Sequence, residues 1–148
     1  MTYIIRTIEE NDYKYIAYII RDDLGYENSS DENVKIRLNA IREHKDYITY
    51  VATYENKVVG FIGLIRGNAY EFDGEYLRVA ALAVKKEYQD KGIGSKLLEE
   101  AEVYARRIEA VTIVLNSGIQ RESAHKFYEK RGYVKKGYSF KKAILKQE

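Results

Sequence analysis

The chain has 148 residues, 45% hydrophobic and 32% charged, with 25 basic against 23 acidic side chains. That composition excludes long-range disorder, and the length suits one domain that buries a core without staples. The lack of Cys excludes disulfides, Cys-ligated zinc, iron–sulfur clusters and a cysteine nucleophile, and a net charge of +2 argues against nucleic acid as a partner. Two His are little material for a metal site, and none is expected. No apolar run approaches the ~18 residues of a membrane span, and the first residues lack the pattern of a signal peptide. A soluble cytoplasmic domain without membrane contact is the expectation.

Along the chain, strand-like and helix-like periods alternate, as in α/β proteins. Residues 3–8 predict a short strand. Thr7 and Glu10 have capping-box spacing for a helix whose Tyr13, Ile16, Ala17, Ile20 and Leu24 share one face, with Gly25 as its stop. Ser29-x-x-Glu32 reads as a second capping box, opening a helix near 31–44 with Val34, Leu38 and Ile41 as its stripe. Residues 47–54 and 58–65 predict a hairpin around Glu55-Asn56-Lys57. Arg66 to Gly74 reads as a polar loop.

Residues 76–84 end in six continuous apolar positions, which predicts a central strand buried on both faces. A helix from about Gly92 to Ile108 carries the stripe Ile93, Leu97, Leu98, Ala101, Tyr104, Ala105 and Ile108. Residues 111–116 predict another buried strand, and 121–131 a helix stopped by Gly132. The tail, Tyr133-Val134 and then Tyr138 to Leu145, predicts one or two further strands. The element order is β-α-α-β-β-β-α-β-α-β(-β), an α/β class.

The most informative stretch is a buried strand followed by Glu87-Tyr88-Gln89-Asp90-Lys91-Gly92-Ile93-Gly94-Ser95-Lys96 and a helix. The first amides of a helix lack internal partners, and the helix dipole adds positive potential there. Glycines let a phosphate approach the backbone, and Lys91 and Lys96 add charge. The string is not a P-loop, and the third position of a dinucleotide fingerprint is occupied here by Leu97. The pattern therefore suits a phosphate-bearing ligand that is neither a nucleoside triphosphate nor NAD. An ordinary βα loop using glycine for packing is the competing reading.

Gln89-x-x-Gly92-x-Gly94 after Leu82-Ala83-Val84 resembles the Q/R-x-x-G-x-G/A signature of the GCN5-related N-acetyltransferases. About thirty residues on, Asn116 and then Ala124-His125-Lys126-Phe127-Tyr128-Glu129-Lys130-Arg131-Gly132-Tyr133 resemble that family's A-x-x-F-Y-x-x-x-G-[FY] helix. The element order over the whole chain is similar too. The resemblance implies a single N-acetyltransferase domain over 1–148. It implies a three-layer α/β sandwich whose mixed, mostly antiparallel sheet has splayed parallel central strands.

The resemblance also implies acetyl-CoA as cosubstrate. Its pantetheine would pair with Leu82 and Val84, and its pyrophosphate would lie on the amides of Gln89, Asp90, Lys91, Gly92, Ile93, Gly94 and Ser95. Asn116 would contact the pantetheine, and Ser123, Ala124, Phe127 and Tyr128 would flank it. The implied chemistry is direct attack of a neutral amine on the thioester, without an acyl-enzyme. Leu82 would donate its amide to the oxyanion. Tyr128 would be the general acid, since a phenol of pKa ~10 can protonate a leaving thiolate of pKa ~8.5. Relatives with a dedicated general base often carry Glu on the central strand, but here that strand reads Arg78-Val79-Ala80-Ala81. A base acting through water from Glu71, Asp73 or Glu75, and no protein base at all, both stay open.

Other polar residues have simpler readings. His125 reads as a partly exposed helix residue without a chemical role. His44 reads as a helix C-terminal residue, and Asn116 also suits a strand-end cap. Lys135, Lys136, Lys141, Lys142 and Lys146 read as a solvated face of an edge strand. The expected acceptor is the primary amine of a small molecule, because the chain is minimal and its second half resembles small-molecule members. The acidic Glu71, Asp73 and Glu75 would suit a cationic amine. Acetylation of a protein amine is the second reading, and a non-catalytic CoA-binding module is the third. The Tyr-rich tail would allow a homodimer.

Overall fold

The computed structural model describes residues 2–145. The chain divides into two compact units, one running through Val114 and the other beginning at Leu115.

The first unit is built on a sheet in the order β1-β2-β3-β4-β5, whose last strand ends at the boundary. Its strands are β1 (Ile4–Thr7), β2 (Tyr47–Tyr54), β3 (Lys57–Asn68), β4 (Glu75–Val84) and β5 (Thr112–Leu115). β1 to β4 pair antiparallel, and β5 runs parallel to β4. The β2–β3 turn is two residues long. Tyr54 pairs with Lys57, while Glu55 and Asn56 take left-handed φ of 51° and 64°, which follows the twist of the flanking strands.

Helices cover both faces of this sheet. On one face lie α1 (Tyr13–Tyr18) and α2 (Asp31–Glu43). Their Ile16, Ala17, Val34 and Leu38 pack with Val51, Phe61 and Ala83. Phe61 belongs to that face, so its neighbour Gly60 points to the other. There α3 (Ile93–Arg107) sets Ile93 and Leu97 against Gly60, and Tyr104 meets the buried Tyr50 edge-on at 6.3 Å. Fully burying Leu97 and Leu98 contributes about 1.5–3 kcal/mol each. Asp12, only 2% exposed, is held by both Arg6 guanidinium nitrogens at 2.7 and 2.9 Å, which ties β1 to the start of α1.

Several local expectations are corrected. The cap before α1 is not Thr7–Glu10. Glu9 and Asp12 form the reciprocal pair around a short 3-10 turn, Glu10–Asp12. The helical stripe does not run on to Leu24. A π turn, Ile19–Asp23, follows α1, with the Leu24 amide reaching back to the Ile19 carbonyl. The wider turn changes the phase of the face, so Ile19 is buried and Leu24 exposed. Gly25, with φ of +82°, still provides the stop. The cap of α2 is Ser30, whose hydroxyl accepts from the Asn33 amide at 3.0 Å, and not Ser29. β3 runs on to Asn68, which leaves only residues 69–74 as the loop.

Neither of the two strands expected to be buried is fully so. In β4, Ala80 is exposed and Leu82 and Val84 are half-buried, and in β5 Thr112 is exposed. β5 is the last strand of the sheet, and β4 carries a kink described below.

The second unit contains α4 (Glu122–Lys130), which ends before Gly132 at φ +87°. The expected strands of the tail are not formed among the described residues. Val134, Tyr138, Phe140, Ile144 and Leu145 are all exposed, so their alternation has no surface to stabilise a strand. Without a strand there, the edge-strand reading of Lys135, Lys136, Lys141 and Lys142 also falls, and Lys146 lies outside the described residues. No helix among the described residues is long and apolar enough to cross a membrane.

Candidate active site

In the first unit the candidate residues lie along β4 and the turn that follows it. Pairing with β3 slips between Gly63 and Leu64: Gly63 faces Ala81, while Leu64 faces Val79. Ala80 is therefore an extra residue, a β-bulge that bends the strand. Beyond it, the Lys85 amide donates to the Val59 carbonyl at 2.8 Å. Backbone groups alternate in direction along an antiparallel strand. Those of Ala81 and Ala83 therefore face β3, and those of Leu82 and Val84 face the opposite edge. β5 does not reach them. The Val111 amide just before it bonds to the Glu75 carbonyl at 2.8 Å, and four residues cannot accompany ten.

The edge leads into a turn of constrained shape. A 3-10 turn, Lys86–Tyr88, is followed by Gln89, whose side-chain amide donates to the Val84 carbonyl at 3.0 Å. Asp90 and Gly92 take φ of +62° and +85°, folding the chain sharply on either side of Lys91. Gly92 is the cap residue of α3 and brings no side chain of its own to the first amides, and the first turn holds no acidic residue. Ile93 is buried, while Lys91 and Lys96 are exposed. The result is a run of outward amides, from the β4 edge to a positive helix end, with cationic side chains beside it.

The acidic residues before β4 separate into two kinds. Glu75 is held on both oxygens by Arg66, at 2.8 and 2.7 Å. That pairing holds its carboxyl below the usual carboxylate range. Glu71 and Asp73 lie exposed on the loop, which is closed by the Ala69 amide donating to the Gly74 carbonyl.

In the second unit the candidates gather on α4 and the turn before it. Tyr128 packs edge-on against Phe127 at 5.3 Å and against Tyr133 at 6.0 Å, and Arg131 lies 4.4 Å over the Phe127 ring. Burial pushes the Tyr128 phenol up, and Arg121 opposes this in part. Ser123 and Asn116 are exposed, and Ala124 is half-buried. His125 has a structural partner: its Nε2 lies 2.8 Å from the Gly118 carbonyl, which bridges α4 to the preceding turn. His44 caps α2, with Nδ1 accepting from the Asp46 amide. Among the described residues, no group of His, Asp and Glu could hold a metal ion.

Residues 9–133, across both units, match the model of the acetyltransferase (GNAT) family. The chain belongs to that family. It forms a single GNAT domain of the enzyme's fold. The N-acetyltransferase YhdJ of Bacillus subtilis, itself uncharacterized, is 32% identical over 109 residues, covering 73% of this chain and 76% of that protein. The aminoalkylphosphonate N-acetyltransferase of Salmonella typhimurium is 29% identical over 148 residues, covering 93% and 88%. A GNAT acetyltransferase from Staphylococcus aureus superposes with a TM-score of 0.81 at 31% identity, covering 97% of this chain and all of that one.

Two features of this GNAT site escape the motif reading. The first is the bulge at Ala80, carried by an Ala-Ala pair that looks like ordinary strand. The second is Gly60. A Cβ there would stand 3.0 Å from the Ala83 carbonyl oxygen and 3.3 and 3.4 Å from Leu97 and Ile93. Gly60 therefore lets the first turns of α3 lie close to the sheet. A lone Gly inside an apolar strand is the signal that points to it.

Proposed function

We propose that the chain is an acetyl-CoA-dependent N-acetyltransferase that transfers acetyl directly to the primary amine of a small molecule. The observation that carries this reading is the β4 edge running into the N-terminus of α3. A ligand that joins an amide-bearing arm to a pyrophosphate matches both halves of that run. Leu82 and Val84 offer strand-like backbone groups to the arm. Gln89, Asp90, Lys91, Gly92, Ile93, Gly94 and Ser95 form the turn for the pyrophosphate. The side chain of Gln89 already occupies the Val84 carbonyl, which leaves the amide as that residue's main offer.

Acetyl-CoA supplies an activated acetyl group as a thioester. The amine nitrogen bonds to the carbonyl carbon, the carbon–sulfur bond breaks, and the amine loses a proton to solvent. We assign the Leu82 amide to the developing oxyanion, where a fixed donor lowers the barrier. We assign Tyr128 to protonate the leaving sulfur, the phenolate then regaining a proton from solvent. A phenol carries its proton at neutral pH, as a general acid requires, and burial pushes the Tyr128 phenol further up. For Asn116, Ser123, Ala124 and Phe127 we keep the contact with the arm that the motif resemblance implies. Glu75 is already neutralised by Arg66, so Glu71 and Asp73 are the carboxylates left to attract a cationic acceptor.

The small-molecule assignment is supported by the similarity to an aminoalkylphosphonate N-acetyltransferase. Thiol release from acetyl-CoA, measured over a panel of aminoalkylphosphonates, aminoglycosides, polyamines and amine-bearing peptides, tests it. Turnover with one or more of the small amines is expected. Turnover confined to peptides would replace the acceptor class, and no binding of acetyl-CoA would remove the reading altogether.

A further inference from the structure

The π turn after α1 ends at Asp23, and its carboxyl reaches the exit of β4. Oδ1 of Asp23 accepts from the Lys86 amide at 3.0 Å. The Lys85 amide next to it donates to β3 at the Val59 carbonyl, so the Asp23 contact sits where β4 passes into the 3-10 turn before Gln89. The same junction is tied a second time, by Lys85 Nζ lying 5.0 Å over the Tyr18 ring. Oδ2 of Asp23 is buried and has no hydrogen-bond partner among the described residues. A carboxylate oxygen withdrawn from water without a donor is costly, so its persistence points to a donor that arrives with a ligand.

We propose that Asp23 belongs to the cosubstrate site. Oδ1 fixes the Lys86 amide at the mouth of the turn, and Oδ2 accepts a hydrogen bond from an N–H or O–H of the ligand's arm. The inference rests on the reading of the β4 edge as the acetyl-CoA site. It adds a contact from a different element, a π turn, a feature often found at functional sites.

The test compares wild type, Asp23→Asn and Asp23→Ala by calorimetric titration with acetyl-CoA and with ADP, and by thermal unfolding without ligand. ADP carries the pyrophosphate without the arm. Asp23→Asn keeps an acceptor for Lys86 but turns a donor toward the arm. It should hold its melting temperature, lose about tenfold or more in acetyl-CoA affinity, and leave ADP unchanged. Asp23→Ala should lose both stability and acetyl-CoA affinity. Unchanged or tighter acetyl-CoA binding by Asp23→Asn overturns the proposal, as does an equal loss for ADP. Failure of the wild type to bind acetyl-CoA instead removes the underlying site.

Discussion

The two units present their candidate chemistry in different materials. In the first it is backbone: the edge of β4, two left-handed residues and the first amides of α3. In the second it is side chains: the Tyr128 phenol within its aromatic contacts, and Asn116. A backbone site tolerates change in most side chains but not in the residues that shape the chain. A side-chain site has the opposite sensitivity. Substitutions should therefore act on folding and affinity in the first unit, and on turnover in the second.

The largest expected effect tests the first half of that contrast. Gly60→Val places methyls where a single Cβ is already at 3.0 Å from a carbonyl oxygen, and should cost about 3 kcal/mol in urea unfolding. Full stability in this variant would show that α3 is not held by close approach to the sheet. Next, Tyr128→Phe removes only the hydroxyl, so the ring contacts to Phe127 and Tyr133 stay. Turnover should fall about 100-fold with little change in melting temperature.

The phenol's upward shift sets the sign of the pH dependence. Tyr128 stays protonated past its ordinary pKa of ~10, so it contributes no falling limb at pH 8–9. The rate should climb through that range as the acceptor amine loses its proton. A wild-type decline at pH 8–9 that vanishes in Tyr128→Phe would sink the assignment.

A smaller effect sharpens the comparison within the first unit. A Cβ at Gly92 meets nothing within 4 Å, so Gly92→Ala acts through the left-handed backbone alone, at about 1 kcal/mol. Acetyl-CoA affinity should fall with it, while turnover at saturation holds. The smallest effect is that of Glu75→Gln. The Arg66 pairing lowers the carboxyl's folded pKa, so its stabilisation is present above ordinary carboxylate values and fades as pH drops through the folded value. The variant should melt slightly lower than wild type at pH 7, and the gap should close as pH falls through the carboxyl's lowered folded value.

The same division explains what was legible beforehand. β2 and the limits of α2 and α3 were readable because the residues that set them are adjacent: the Glu55-Asn56 turn, the polar start at Asp31, and Gly92 as cap. The loop-and-helix motif was readable because glycines mark backbone use directly. Features of one residue's width were not. The π turn and the Ala80 bulge each insert a residue without any special side chain, and the caps fell on neighbouring polar residues, Glu9 and Ser30. The Arg66–Glu75 pair was missed because it joins residues nine apart that meet only once β3 extends past Ile65. Tail residues such as Tyr138 and Phe140 alternate well but find nothing to bury against, and alternation without burial makes no strand.

The kink at Ala80 has a consequence for solubility. Unpaired strand edges are templates on which neighbouring chains aggregate, and a straight β4 outlasting β5 by several residues would be one. The bulge breaks that run, so the outward groups at Leu82 and Val84 form a stretch too short to recruit a polypeptide strand. A slender arm needs only two or three such groups. The kink thus leaves two outward backbone positions at this edge rather than a full strand's length of them.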